Sequence, residues 1–223
     1  MPSDTTIAAV LFDLDGLLVD SEPAWYRARC DLAKAHGALW TEADQRAQAG
    51  VHTDVWVANV GACIGGVLSP EEVQEEIVSR MEAYYRAREV RVLPGADACL
   101  ARCAERFPTA LVSGSPHRLI DAAIEGAGWA GHFDLRLSSD DVARGKPAPD
   151  VYEEAMRRLG VPADGTVVLE DSGAGIRAGL AAGTRVIAVP NPLTHPGEAT
   201  LALATQVLSS LDGVPDLLTN WSR

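Results

Sequence analysis

Two aspartates, two positions apart, stand at the end of the first apolar segment of the chain. The run 7–12 is continuously apolar, and Asp13 and Asp15 follow it directly. Residues two apart on a strand point the same way, so both carboxylates face one cavity. Phosphoryl transfer needs a nucleophile and an acid for the leaving oxygen, and two neighbouring carboxyl groups can divide these tasks. Acidic pairs at strand ends also cap turns, so this pair alone leaves a structural role open.

A second polar cluster, Ser113-Gly114-Ser115-Pro116, lies between an apolar strand and a predicted helix. A hydroxyl, exposed backbone N–H groups and a helix N-terminus together form a phosphate cradle. The alternative is a plain N-cap, in which Ser115 caps the helix and Pro116 is its first residue.

Lys146 stands out by its residue type. The chain has two lysines, Lys34 and Lys146, beside seventeen arginines. Pro147 and Pro149 stiffen the backbone that follows Lys146. A compact ammonium suits a carboxylate–phosphate pair, although an ordinary loop cation is the alternative.

Two adjacent carboxylates, Glu170 and Asp171, close another apolar strand. Such a pair is costly at a strand end unless a cation binds it, and Mg²⁺ prefers carboxylate oxygens. The alternative is that Asp171 or Ser172 caps the next helix.

The elements around these clusters alternate between strands and helices, which predicts a parallel sheet flanked by helices. The predicted strands are 7–12, 110–113, 135–138, 166–170, 185–189 and 206–209. A helix is predicted over 150–160, with Asp150 as its N-cap, Glu153 at its third position and Gly160 at its end. The four polar clusters then follow strand ends, where parallel-sheet enzymes place their sites.

Residues 20–90 have helical periodicity and no convincing strand. Pro23 opens the first predicted helix, Thr41 the second, and a third follows Thr53. Ser69 is the predicted N-cap of the last helix, with Pro70 and Glu72 completing the capping box. The apolar stripe of that helix is Val73, Ile77, Met81 and Tyr84. We therefore predict an α/β core over 1–17 and 93–223 that carries an inserted helical domain over 18–92, with hinges near 16–21 and 90–95.

The composition argues against several kinds of partner. The 19 basic and 31 acidic residues give a formal charge of −12, which repels nucleic acid and anionic lipid. The four cysteines show no metal-binding or redox spacing, and the N-terminus lacks the basic region of a signal peptide. No stretch is long and apolar enough to span a membrane. A cytoplasmic protein that binds neither nucleic acid nor membrane is expected.

Four stretches together resemble the haloacid dehalogenase-like superfamily, and they span nearly the whole core in the family's order. They are FDLDGLLVDSEP (12–23), VSGSP (112–116), GKPAPDVY (145–152) and LEDSGAGIRAG (169–179). The similarity is greatest to the branch of sugar-phosphate phosphatases and β-phosphoglucomutase. It implies a Rossmann-like core with a mobile helical cap, in a phosphatase that acts on a small phosphorylated sugar or polyol. The capped members of the family are often monomers, so a monomer is expected.

The resemblance also implies catalytic roles. Asp13 is the expected nucleophile, which forms an aspartyl-phosphate. Asp15 is expected to protonate the leaving oxygen and then to activate water. Ser113 and the Gly114 amide are expected to hold the phosphate, and Lys146 to pair with Asp13 and the phosphate.

A magnesium site follows from the same resemblance. Mg²⁺ is the expected cofactor, bound by Asp13, the Asp15 carbonyl and Asp171. Glu170 is expected either to bind the ion or to support its ligands.

A phosphosugar mutase and a non-catalytic metabolite-binding protein are the alternative functions. Mutases of this branch hold a second phosphate with basic cap residues, but the corresponding stretch 48–56 contains no Arg or Lys. His52 in this stretch is a candidate substrate contact, and Trp56 is expected to lie in the core of the helical domain. A binding protein would have no need to keep Asp13, Asp15 and Lys146, so hydrolysis is favoured.

Overall fold

The computed structural model describes residues 6–48, 53–191 and 195–222. Within these ranges the strands are β1 (Ala9–Phe12), β2 (Val19–Asp20), β3 (Arg91–Val92), β4 (Thr109–Ser113), β5 (Leu135–Ser138), β6 (Thr166–Glu170), β7 (Arg185–Ala188) and β8 (Gln206–Val207). The helices are α1 (Glu22–Ala35), α2 (Glu42–Arg46), α3 (Thr53–Cys63), α4 (Pro70–Arg86), α5 (Ala96–Ala104), α6 (His117–Ala127), α7 (Asp150–Leu159), α8 (Gly173–Ala181), α9 (Glu198–Leu201) and α10 (Val214–Trp221).

In the described part of the chain, six strands form one parallel sheet in the order β5-β4-β1-β6-β7-β8. The predicted α/β class with a parallel sheet is confirmed. β1, β4 and β6 are buried along their whole length. Their continuous apolar runs are typical of strands that are covered on both faces.

Alternate residues of β1 belong to the two different cores. Val10 and Phe12 join the cluster that contains α5, α6 and the helices α1, α3 and α4, whereas Ala9 and Leu11 join the cluster under α7 and α8. This division follows from the two-residue period of a strand. The central strands are therefore held from both sides, and their carboxyl ends form a rigid edge.

The helical segment, residues 18–92, begins and ends in a short antiparallel pair of strands. Val19 of β2 lies opposite Val92 of β3, and Asp20 lies opposite Arg91, whose guanidinium pairs with the Asp20 carboxylate at 2.6 Å. Two-residue strands carry no periodic signal, so sequence reasoning missed them. They nevertheless lie where the hinges are predicted.

Most predicted helix ends of the helical segment are confirmed. Thr41 and Ser69 each accept from the third helical N–H, and Asp44 and Glu72 return the bond, so both helices begin with a capping box. The predicted stripe of α4 is wrong at one position. Tyr85, not Tyr84, lies in the core, while Tyr84 is only partly buried and donates to Asp31 at 2.8 Å.

The predicted N-cap of α7 is also wrong, and the alternative interpretation of Ser115 as the N-cap of α6 is not observed. Asp150 is the first helical residue of α7, and its carboxylate pairs with Arg144 at 2.7 Å instead of capping the helix. Pro116, not Ser115, is the N-cap of α6. Gly160 ends α7 in the left-handed conformation, as predicted.

Helix α4 of the helical segment packs closely on α6 of the sheet domain. A Cβ on Gly126 would lie 2.2 Å from the Tyr85 carbonyl oxygen, so this approach requires glycine. At the rim of the contact, Arg118 donates to Glu75 at 2.7 and 2.9 Å, to Ser79 at 2.9 Å, and to Glu82. We call these four residues the α4–α6 ion cluster.

The α4–α6 ion cluster predicts a pH-dependent contribution to stability. Its hydrogen bonds to Arg118 hold the pKa values of Glu75 and Glu82 below their ordinary value of 4.5. Their stabilising effect is therefore complete above that value and is lost as the pH falls through the lowered pKa values. Because the Arg118 and Glu75 side chains are exposed and Glu82 is only partly covered, the effect is small and is screened by salt.

Urea unfolding of the wild type and Arg118→Met tests this prediction. We expect the variant to unfold at a lower urea concentration at neutral pH and low salt. The difference should shrink at about 1 M NaCl and again at about pH 3. A difference that is constant under all three conditions would contradict the electrostatic origin.

Candidate active site

Three adjacent strand ends bring the predicted site residues together. Phe12 of β1 lies opposite Leu111 of β4 and Leu169 of β6. The Asp13 N–H continues this ladder, because it donates to the Leu169 carbonyl at 3.1 Å. Asp13 therefore lies beside the carboxyl ends of both neighbouring strands, where loops of a parallel sheet converge.

Lys146 joins all three strand ends through its ammonium group. Its Nζ donates to Asp13 Oδ1 at 2.6 Å, to Glu170 Oε1 at 2.7 Å and to the Val112 carbonyl at 3.1 Å. These bonds use the three donors of the ammonium. The Lys146 side chain is 10% exposed, and those of Asp13 and Glu170 are 9% and 0% exposed. The predicted pairing of Lys146 with Asp13 is thus present in a nearly dry site.

Charge in this site is dominated by carboxylates. Burial would lower the pKa of Lys146, but the Asp13 and Glu170 carboxylates outweigh it and hold that pKa well above its ordinary value. Burial raises the pKa of Asp13, Lys146 opposes it, and Glu170 and Asp171 add to the rise. One ammonium thus faces three carboxylates, so a further positive charge fits here.

Asp13, Glu170 and Asp171 are all buried. One carboxylate oxygen from each of them lies within 4.8 Å of the other two. Hard oxygen donors at this spacing suit Mg²⁺. Gly16 makes the arrangement possible, because a Cβ there would lie 2.2 Å from Asp171 Oδ2, and its φ is +88°. Glycine is therefore required at position 16 both by the close approach of the Asp171 carboxylate and by the positive φ of the turn.

Glu170 is bound on both oxygens by protein donors. Oε1 accepts from Lys146 and from the Tyr152 hydroxyl at 2.7 Å, and Oε2 accepts from the N–H and the hydroxyl of Ser172 at 3.2 and 2.9 Å. A Cβ on Gly175 would overlap this carboxylate at 1.7 Å. Glu170 is thus fixed against the start of α8. Sequence reasoning missed Tyr152, although the residue belongs to the GKPAPDVY stretch.

Asp15 is held by hydroxyl groups from two parts of the chain. Its carboxylate accepts from Ser113, the last residue of β4, at 3.3 Å and from Ser115, in the loop that follows, at 2.9 Å. The third donor is Tyr85 of α4, at 3.1 Å. Burial and the nearby Asp15 raise the pKa of Tyr85 well above its ordinary value, so Tyr85 stays a donor. Sequence reasoning missed Tyr85 because it is adjacent to Tyr84, and helical periodicity alone does not decide which of the two faces the core.

The loop between β4 and α6 has the form expected of a phosphate cradle. The Ser113 hydroxyl is fully buried and accepts from the Ser115 N–H at 3.0 Å. Gly114 lies between them, and the N-terminus of α6 follows. Ser115 binds Asp15 instead of capping α6, which assigns this hydroxyl to the site.

Two predictions concern the helical segment. His52 lies outside the described residues. Trp56 is buried in the core of the helical segment, as predicted, and its ring packs at 6.1 Å and 59° against that of Trp25.

Comparison with known proteins identifies the family of the chain. The family model described as haloacid dehalogenase-like hydrolase matches residues 7–183. The chain belongs to the haloacid dehalogenase-like hydrolases. The predicted resemblance is confirmed, and the four polar clusters all lie within the matched range.

Named phosphatases are among the relatives of this hydrolase. Hexitol phosphatase B of Escherichia coli (strain K12) is 32% identical over 218 residues, which are 95% of this chain and 96% of that protein. The phosphorylated carbohydrates phosphatase of Thermotoga maritima is 27% identical over 94% of this chain and 97% of its own. CbbY from Rhodobacter sphaeroides, solved with phosphate, superposes with a TM-score of 0.82 at 27% identity, covering 94% of this chain and 96% of that one. These relatives support phosphatase activity for the chain.

In the ranges that the structure describes, no helix combines the length and the hydrophobicity that a bilayer span requires.

Proposed function

We propose that this hydrolase is a Mg²⁺-dependent phosphatase of a small phosphorylated sugar or polyol, and that it works through an aspartyl-phosphate. The observation that carries the proposal is the buried Asp13–Lys146–Glu170 cluster, with Asp15 two residues beyond Asp13. The hexitol and carbohydrate phosphatases among the relatives support the class of substrate.

Asp13 is the proposed nucleophile. Lys146 holds its Oδ1 at 2.6 Å, which leaves Oδ2 to form the new bond to phosphorus while the bond to the ester oxygen breaks. Ser113 and the Gly114 N–H bind the oxygens of the transferring group at the start of α6. The Lys146 ammonium balances the charge that builds up on those oxygens.

Asp15 is the proposed acid and base. It gives its proton to the leaving oxygen, and then takes a proton from the water that attacks the aspartyl-phosphate. The three hydroxyls of Ser113, Ser115 and Tyr85 fix its carboxylate near Asp13. Since Tyr85 belongs to α4, the position of Asp15 depends on the position of the helical segment.

The magnesium ligands that we propose are the carboxylates of Asp13 and Asp171 and the backbone carbonyl of Asp15. When bound, the ion supplies the positive charge that the site lacks and polarises the phosphate. Both oxygens of Glu170 are already engaged with Lys146, Tyr152 and Ser172, so we assign Glu170 to holding Lys146 rather than the ion.

The helical segment is the proposed cap. Residues 18–92 would rotate about the β2–β3 pair, close over the sheet edge to exclude water, and open to release products. Such a motion would change the short strand pair, the α4–α6 contact and the hydrogen bond from Tyr85 to Asp15.

Removal of the metal tests the proposal. We expect chelation to reduce phosphate release to background, and excess Mg²⁺ to restore it. The matched variant is Asp171→Asn, which should need about tenfold or more additional Mg²⁺ for half-maximal activity, because it loses a charged ligand. A panel of sugar and polyol phosphates measured in parallel gives the preferred ester. Undiminished release from chelated enzyme would contradict the proposed cofactor.

A further inference from the structure

A cavity of about 340 Å³ lies between the helical segment and the loop that follows β4. Its wall includes Trp25, Asp54, Trp56 and Gln74 from the helical segment, and Ser115 and Asp140 from the sheet domain. We call it the leaving-group cavity, since the Ser115 hydroxyl in its wall donates to Asp15 Oδ2 at 2.9 Å. An ester whose oxygen is protonated by Asp15 would place its alcohol part here. This assignment rests on the proposed phosphatase activity.

The charged groups in the described wall of the cavity are acidic. Asp54 lies in the first turn of α3, and Asp140 lies in the short 3-10 turn after β5; both side chains are exposed. Among the described residues, no lysine or arginine lines the cavity.

The basic side chains at the start of α6 are engaged with acidic partners. Arg118 is engaged with Glu75, Ser79 and Glu82 in the α4–α6 ion cluster. His117 at the start of α6 pairs with Asp141 at 2.8 Å.

Arg29 of the helical segment lies beside the two indoles. It is 6% exposed, donates to Gln45 at 2.9 Å, and holds its guanidinium carbon 5.4 and 5.5 Å from the ring centroids of Trp25 and Trp56. It does not line the cavity. Arg29 therefore packs against the tryptophans from behind the cavity wall and makes no direct contact with the cavity.

We infer that the leaving-group cavity selects an uncharged, hydroxyl-rich alcohol and rejects a substrate that carries a second anionic group. A second phosphate would meet Asp54 and Asp140 without a cation to balance it, and such like-charge contacts disfavour binding. Carboxylates and the Gln74 amide accept hydrogen bonds from hydroxyl groups. The two indoles add broad apolar surface for the carbon skeleton of a sugar or polyol.

The first experiment compares kcat/KM for fructose 6-phosphate and fructose 1,6-bisphosphate, which share one sugar skeleton. We expect the wild type to prefer the monophosphate by about tenfold or more. Asp54→Lys and Gln74→Lys change residues on two different helices. Each should reduce the ratio of kcat/KM for the monophosphate to kcat/KM for the bisphosphate by about fivefold or more. The matched control is Glu105→Lys, at an exposed position after α5 that does not line the cavity, and it should leave the preference unchanged.

The second experiment separates recognition of hydroxyl groups from the chemical step. We expect Asp54→Asn to lower kcat/KM for sorbitol 6-phosphate by a larger factor than kcat/KM for phenyl phosphate, which has no hydroxyl groups. A wild type that accepts the bisphosphate equally well, or lysine variants that behave like Glu105→Lys, would overturn the inference while leaving the phosphatase intact. If the wild type with Mg²⁺ hydrolyses none of these esters, phenyl phosphate included, the proposed function fails and the inference falls with it.

Discussion

Asp13→Asn is expected to lower phosphate release by about 10⁴-fold or more, because an amide oxygen is a poor nucleophile and forms no stable acyl phosphate. The substitution keeps the shape of a side chain that is 9% exposed. Lys146 keeps its bonds to Glu170 and to the Val112 carbonyl, so the strand ends stay together. The loss should therefore appear in kcat for every ester, including phenyl phosphate.

Asp15→Asn is the matched control for this prediction. It removes the proposed acid and base but leaves the nucleophile, so an ester with a good leaving group should still transfer its phosphoryl group. Mass spectrometry after acid quenching should then show a phosphorylated protein for Asp15→Asn and none for Asp13→Asn. Phosphorylation of Asp13→Asn, or activity within about tenfold of the wild type, would mean that another residue attacks phosphorus.

The central strands were predictable because their sequences satisfy one physical requirement. β1, β4 and β6 are covered on both faces, so they are continuous apolar runs that end where the chain meets solvent or a ligand. The polar residues that follow them must then meet at one edge. Predicted spans over 135–138 and 166–170 agree with the observed strands, whereas the last strand is two residues shorter than predicted.

Other features depend on tertiary contacts that produce no periodic pattern in the sequence. β2 and β3 are two residues each and are stabilised by pairing across the whole helical segment, including Asp20 with Arg91. Asp150 has the residue type of an N-cap, but Arg144 lies close enough to bind it. The residue type at a helix start therefore does not by itself decide which residue is the N-cap.

Tyr85 shows most clearly why the site could not be completed from sequence. Helical periodicity places either of two adjacent tyrosines on the apolar face of α4, and the choice depends on how α4 packs against Gly126 of α6. That packing puts the Tyr85 hydroxyl 3.1 Å from Asp15. The helical segment and Asp15 are therefore connected by a contact that spans 70 positions of the chain.

Lys146→Met is expected to remove both activity and stability. The substitution keeps an unbranched side chain but leaves Asp13 and Glu170 without their ammonium partner in a buried site. Breaking a buried ion pair by removing one partner costs about 3–5 kcal/mol, so the free energy of unfolding should fall by that amount. Phosphate release should fall about 10³-fold, because the charge that balances the transition state is lost. Urea unfolding and phosphate release measure the two effects separately.

The variant Lys146→Arg and the pH dependence of Lys146→Met test whether the losses of stability and activity arise from the missing charge. Lys146→Arg keeps the charge, but its planar fork cannot place one nitrogen near the three acceptors that Nζ now contacts. We therefore expect Lys146→Arg to regain part of the stability and little of the activity.

In Lys146→Met the pKa of Asp13, already raised by burial, rises further because Lys146 no longer opposes it. A carboxyl group with a raised pKa binds its proton more tightly in the folded state, so the stability deficit should be largest above that pKa and shrink as the pH falls through it. A deficit that is the same at acid and neutral pH would mean that lost packing, rather than unbalanced charge, destabilises the variant.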